Sequence, residues 1–345
     1  MPSLALRSTT AFALLSVLVS SPMSAQTDCT GESRTLGGQA MTIVAGGSVM
    51  TRAKLNINID GSGRAYNWDN SKGLIHLCNA ARVYPADGAS YEGSADGPTC
   101  TGKFMNDLAR IKASGWTDAS VGAISWYGVL GTGTAVVQGR TVRGVTPVEI
   151  PDSGGFLVSP TTLGDPAFAT TDQRRYVDPL VVASAVIPSS GVLTPFGVVP
   201  GTLGVAYRAK TGRAVPFIVS DLGPRVGEGS PALARRLAGL EPKAGLTRAE
   251  RFQGIVDTAD VVWVFFGGNK LPPPYAPDPV DAAGQAAFKR GAASNDWNAV
   301  QRTDAPGRRD VSQLARRMCS PLGTLECVVR ISRHFTSCGG SPFEP

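Results

Sequence analysis

The chain has 345 residues, 42% of them hydrophobic and 17% charged, which is enough apolar material for a buried core and argues against a disordered chain. Its 33 lysines and arginines against 27 aspartates and glutamates leave a formal net charge of +6. These charges are scattered instead of forming the clustered basic stripe of a phosphate-tracking surface, so no nucleic-acid partner is expected. The 41 glycines and 25 prolines imply many turns and favour a mainly β chain with loops.

Residues 1–25 have the order of a secretory signal peptide: Arg7, then the apolar run Ala11 to Val19, then small residues ending at Ala25. A secreted product, extracellular or periplasmic, is expected. The run is too short to cross a bilayer and no later segment is longer, so no stable membrane association is expected either. Cys29, Cys78, Cys100, Cys319, Cys327 and Cys338 make an even set, which in an oxidising compartment points to disulfides of undetermined connectivity. CxxC spacing is missing and the only histidines, His76 and His334, are far apart. The expectation is no metal and no cofactor.

From Leu55 to Gly268 short apolar runs alternate with Gly, Pro, Asp and Ser. They are VTPVEIP (from Val145), GFLVSP (from Gly155), LVVASAVIP (from Leu180), LGVAYR (from Leu203), AVPFIVSD (from Ala214) and VVWVFFGG (from Val261), all of strand length and rich in β-branched and aromatic residues. Two helices interrupt them. Thr101 to Lys112 puts Phe104, Leu108 and Ile111 on one face. A second helix is fully punctuated, with Ser230 to cap it, Pro231 at its first position and Gly239 to end it. The prolines of 271–280 predict a stiff linker separating a domain of residues 26–270 from a small cysteine-containing extension, 281–345, of unknown role, weakly helical around Val311 to Met318.

Several motifs fail. Gly128 to Gly133 (GVLGTG) lacks the strand and helix context of a phosphate loop and reads as a turn. No GxSxG pentapeptide occurs. Asp221-Leu222-Gly223 lacks both the hydroxyl residue and the second copy that an aspartic-protease turn requires. One constellation remains. Asp221 ends an apolar strand and Glu228 stands just before the capped helix, with Gly223, Pro224, Gly227 and Gly229 around them. Two rigidly anchored carboxyls are what glycosidic hydrolysis needs: one protonates the leaving oxygen while the other activates water or attacks directly. The same residues also fit an Asx turn and a helix-dipole complement, and local sequence does not choose between the two.

The stretch DLGPRVGEGSPALARRLAG, from Asp221 to Gly239, resembles the signature of the family 75 glycoside hydrolases, the fungal-type chitosanases. The likeness extends to INIDGSGRAYNWDN (Ile57 to Asn70), YVDP (Tyr176 to Pro179), GTLGVAYRAKTGRAVPFIV and VVWVFFGG, covering roughly Leu55 to Gly268. It implies a mainly β fold, a compact six-stranded double-psi-type barrel with peripheral helices and loops; a monomer is expected. It also implies an inverting endo-chitosanase acting on β-1,4 glucosamine linkages, with Asp221 and Glu228 as the catalytic residues. The resemblance makes Glu228 the proton donor and Asp221 the base, whereas a helix start beside Glu228 would stabilise its anion and favour the opposite division.

Because chitosan is a polycation near neutral pH, carboxylates should line its groove. Asp60 and Asp178 are the candidates for substrate binding together with Tyr176, and Asp69 and Glu92 are further acids of the same kind. Tyr66 and Trp126 join Tyr176 as rings that could stack on sugars. Two other functions fit the same residues: a non-catalytic glycan-binding protein on this scaffold, or a hydrolase acting on another wall polysaccharide such as peptidoglycan, whose negative charge would suit a basic chain.

Overall fold

The computed structural model describes residues 31–44, 47–96, 100 and 102–293. The signal segment, Cys29, Cys319, Cys327, Cys338 and the stretch Val311 to Met318 lie outside the described residues.

A hairpin, β1 (Gly31–Leu36) and β2 (Gln39–Val44), leads into the long strand β3 (Ser48–Ile57). A smaller lobe follows. It holds β4 (Ala81–Pro85), β5 (Tyr91–Glu92), helix α1 (Lys103–Ala113), β6 (Gly122–Trp126) and the two-stranded ribbon β7 (Gly131–Val137) and β8 (Arg140–Pro147). The chain then returns through β9 (Ser184–Pro188), β10 (Thr202–Arg208), β11 (Arg213–Gly223), β12 (Glu228–Gly229), helix α2 (Pro231–Ala238), β13 (Val256–Lys270) and helix α3 (Pro277–Ala293).

Six strands close into a barrel in the order β3-β12-β9-β11-β10-β13, with β13 pairing back onto β3. The expected mainly β, six-stranded barrel is therefore present, carrying the β1–β2 hairpin as an extension of its sheet. Two of its pairings, β3 with β12 and β9 with β11, are parallel; the others are antiparallel. Closure removes the exposed edges that an open sheet of this size would leave. The barrel is filled by Leu55, Ala185, Phe217, Val219, Trp263 and Phe265, with Phe217 meeting Trp263 and Phe265 edge-on at 5.7 and 5.4 Å.

The second core lies in the smaller lobe. There α1 buries Phe104, Leu108 and Ile111, as its spacing predicts, with Leu77, Ile124 and Trp126 in the same cluster. Cys78 and Cys100 are joined by a disulfide. No helix among the described residues is long and apolar enough to cross a membrane.

Two expectations need correction. GFLVSP forms no strand; Phe156 and Leu157 make only isolated bridges, to Asn67 and Glu149. The proline-rich 271–280 segment is not a free spacer. Pro277 and Pro279 occupy the first turn of α3, where a missing N–H breaks no helical bond. This helix packs on the barrel through Val280 and Ala287, both almost fully buried. Arg236 of α2 also holds Asp281 at 2.7 Å. The folded body thus runs on to Ala293 instead of stopping at 270.

The predicted cap of α2 is present and does more than end a helix. Ser230 Oγ accepts from the Leu233 amide (3.1 Å) and the Ser184 amide (2.9 Å) and donates to the Val182 carbonyl (2.9 Å), with the residue fully buried. Ser230→Ala leaves two amides without acceptors and is expected to cost about 2–4 kcal/mol in urea unfolding. A loss below about 0.5 kcal/mol, typical of a surface site, would refute this cap.

Candidate active site

The barrel places Asp221 on β11 and Glu228 on β12, with β9 between them, and Asp60 just beyond the end of β3, the parallel partner of β12. Along β11 the residues alternate against β9 until the register slips between Val219 and Asp221. That bulge inserts Ser220, whose carbonyl accepts from the Leu163 amide at 2.8 Å. A bulge re-aims the side chain that follows it. Here it turns Asp221 toward Thr162, whose amide and hydroxyl donate to Asp221 Oδ1 at 3.0 and 2.7 Å, while the Leu222 amide adds a third bond at 2.9 Å. Oδ1 is thus held by three donors.

Glu228 sits on β12 opposite Asn56 of β3. The turn before it is clamped by Gln39 from the β1–β2 hairpin, whose amide nitrogen donates to the Val226 carbonyl (2.9 Å) and whose oxygen accepts from the Val226 amide (2.8 Å). Burial is the largest influence on the Glu228 carboxyl and pushes it up; Lys54 and Arg225 pull it back and the Asp221 charge pushes it further. The anticipated stabilisation by the helix start does not dominate, because the first amides of α2 are already occupied. The Ala232 amide donates to the Pro179 carbonyl and the Leu233 amide to Ser230. A raised carboxyl holds its proton to higher pH than an ordinary glutamate does, the direction a proton donor needs.

Asp60 stands just beyond β3. Its own amide donates to Asn58 Oδ1 at 2.8 Å, and the Asn58 amide donates to the Gly229 carbonyl at 2.9 Å, so it is tied to the Glu228 strand. On the other side Gly61 abuts Thr161, next to the Thr162 that grips Asp221. Gln173 fastens the loop by donating to the Gly61 carbonyl at 2.8 Å. The Tyr66 hydroxyl donates to Asp60 Oδ1 at 2.9 Å. Burial, with the charges of Asp221 and Glu228 added, pushes the Asp60 carboxyl up to about 7 against the hydrogen bond from Tyr66.

The sign of the resulting pH effect follows directly. In an unfolded chain this carboxyl ionises near 3.8, so the unfolded state gives up its proton first, and Asp60 withdraws stability progressively as pH rises from about 4 to about 7. Asp60→Asn keeps the acceptor for Tyr66 and removes the ionisation. Its melting temperature is expected to equal that of the wild type near pH 4 and to exceed it at pH 7. Parallel curves across that range would contradict the buried, acid-coupled position.

The other sequence candidates are sorted by their contacts. Asp178 is raised mainly by burial, and its Oδ1 accepts from the Leu180 amide at 3.0 Å, so it caps its own turn beside Gly61. Tyr176 spends its hydroxyl on the Thr170 carbonyl at 2.7 Å and belongs to the neighbouring loop. Trp126 is buried against the half-buried Trp68 and Trp116, and its ring nitrogen donates to the Val145 carbonyl at 3.1 Å. It is core, as is Tyr66, which at 4% exposure positions Asp60 instead of facing a sugar. Asp69 bonds the Ser71 amide and hydroxyl on the surface.

Tyr127 was not singled out by sequence. It follows the core residue Trp126, and no periodicity marks it. It is 53% exposed, and burial of its hydroxyl end followed by the charges of Glu92 and Asp60 pushes the phenol up to about 12. Thr162, Gln39 and Gln173 were equally invisible, because each acts across a long sequence separation. Among the described residues no group of three or more His, Cys, Asp or Glu side chains gathers closely enough to hold a metal ion. No protein-family model matches the chain, and no curated protein gives a significant match to it.

Proposed function

We propose that the protein is a secreted endo-chitosanase of the family 75 type, which hydrolyses β-1,4 linkages between glucosamine units with inversion and without metal or cofactor. The observation that carries this reading is the joint environment of three acids from three separate segments. Asp221 has one oxygen fixed by three donors, Glu228 has a carboxyl pushed up by burial, and Asp60 is coupled to both. In this scheme Glu228 gives its proton to the glycosidic oxygen as the C1–O bond breaks. Asp221 takes a proton from the water whose oxygen forms the new C1–O bond on the opposite face. Asp60, once ionised, adds negative charge where a glucosamine ammonium would lie. The signal-like residues 1–25 and the Cys78–Cys100 disulfide support secretion.

The test is reducing-end release by the purified protein from chitosan and, in parallel, from peptidoglycan. Release from chitosan is expected, with new ends appearing first as the α anomer by NMR, since inversion of a β linkage gives α. Release from peptidoglycan alone would move the substrate to the anionic wall polymer that the basic net charge favours. Binding to chitosan with no release would leave a glycan-binding protein.

A further inference from the structure

We propose that Tyr127 and Glu92 form a second sugar subsite beside the three acids, in which the Tyr127 ring stacks on one face of a glucosamine unit and the Glu92 carboxylate receives its ammonium. This inference rests on the glycosidase reading and names what lies along the substrate chain next to the cleaved bond.

Contacts lead outward from the acids to this pair. Tyr66, which donates to Asp60, has its hydroxyl so close to Gly128 that a Cβ there would stand 2.7 Å from it. The Gly128 carbonyl also accepts from Ser159 Oγ at 2.9 Å, and the amides of Tyr127 and Gly128 both donate to the Ala80 carbonyl, at 2.8 and 3.1 Å. The backbone carrying Tyr127 is therefore anchored by three hydrogen bonds, immediately beside the group that holds Asp60. A rigid base is what an aromatic platform requires, because stacking loses its value if the ring must first be ordered.

The ring itself is open. Tyr127 is 53% exposed while Tyr66 is 4% exposed, and among the described residues no aromatic ring or cation packs on its face; the paired rings and cations fall on Trp68, Tyr91, Phe168 and others. Its hydroxyl donates to Glu92 Oε2 at 3.4 Å. Glu92, on β5, stands directly opposite Arg82 of β4, and the Arg82 Nε lies 3.4 Å from Glu92 Oε1. With its side chain 46% exposed, the Glu92 carboxylate has an open side on which a substrate ammonium can sit while Arg82, whose Nε is buried, keeps its place at Oε1. A sugar ring has an apolar face for Tyr127, and the 2-amino group of glucosamine supplies the charge for Glu92. N-acetylglucosamine would keep the stacking and lose the ion pair.

The experiment measures binding by calorimetry in the non-hydrolysing Glu228→Gln background, using a glucosamine hexasaccharide and its fully N-acetylated counterpart. Tyr127→Ala is expected to weaken both ligands about tenfold, and Tyr127→Phe to preserve binding of both. Glu92→Gln should weaken the glucosamine ligand alone, an effect that fades at high salt. Unchanged affinities in Tyr127→Ala, with the fold verified by its melting curve, would overturn the subsite. So would an equal loss for both ligands in Glu92→Gln. The chitosan assay on the wild type separates the two readings: turnover combined with unaffected variants rejects only the subsite, whereas binding that obeys these expectations without turnover rejects only the hydrolase.

Discussion

Glu228→Gln and Asp221→Asn, made separately, are each expected to lower kcat on chitosan by about 10²- to 10⁴-fold with little change in melting temperature. Both substitutions are isosteric, so they remove proton chemistry and leave shape. In Asp221→Asn the side-chain oxygen still accepts from the Thr162 amide and hydroxyl and from the Leu222 amide, but the remaining atom is an NH₂ that cannot take a proton from water. In Glu228→Gln the partly buried pocket beside Gly223 and Val186 still closes around the side chain, but no proton is available for the leaving oxygen. Because the two acids act in one step, the double variant should be scarcely worse than the worse single variant. Equal rates for wild type and double variant would end the hydrolase proposal.

Gly61→Ala is expected to be the most damaging small substitution in the site. Gly61 has φ of +100°, and a Cβ there would lie 2.2 Å from the Val177 carbonyl oxygen and 2.8 Å from Thr161 Cγ2. The backbone conformation alone costs an L-residue about 1–2 kcal/mol. The clash with a backbone atom forces a displacement worth about 1–3 kcal/mol more. That displacement acts on the loop joining Asp60 to the Thr161–Thr162 segment, so catalysis should fall further than lost stability explains. Gly88→Ala provides the control. Gly88 has φ of +90° and nothing within 4 Å of its absent Cβ, so it carries the conformational cost without the clash. Urea unfolding of the two variants should differ by the steric cost alone, and equal losses would show that the contact with Val177 yields freely.

Glu228, Asp221 and Asp60 also illustrate how far sequence reading reaches. The glycine-rich turn between Asp221 and Glu228 and the Ser230-Pro231 cap are local features, and local hydrogen bonding and backbone preference were enough to read them. The tilt of Asp221 depends on a bulge defined by the partner strand β9, and on Thr162, which is 59 residues away. The clamp on the Glu228 turn comes from Gln39, 187 residues away. Neither could be read from neighbouring residues. The aromatic candidates were misjudged for a related reason. Tyr66, Trp126 and Tyr127 look alike in a sequence, and only the packing of β4 against β6 buries Trp126 while leaving Tyr127 outward.

The proline-rich segment before α3 shows the same limit. Proline at 277 and 279 suggests extension, yet proline is harmless in the first turn of a helix, and the apolar residues Val280 and Ala287 find cover on the barrel. The residues by themselves determined the strand-and-turn character of this chain, the helices α1 and α2 and the pair of acids flanking one turn, because alternation, capping and turn chemistry act over a few positions. Tertiary structure alone decided that the barrel closes through β13 onto β3, that Asp60 joins the acid pair, and which carboxyls are pushed up, because strand pairing, burial and charge coupling act through space between segments far apart along the chain.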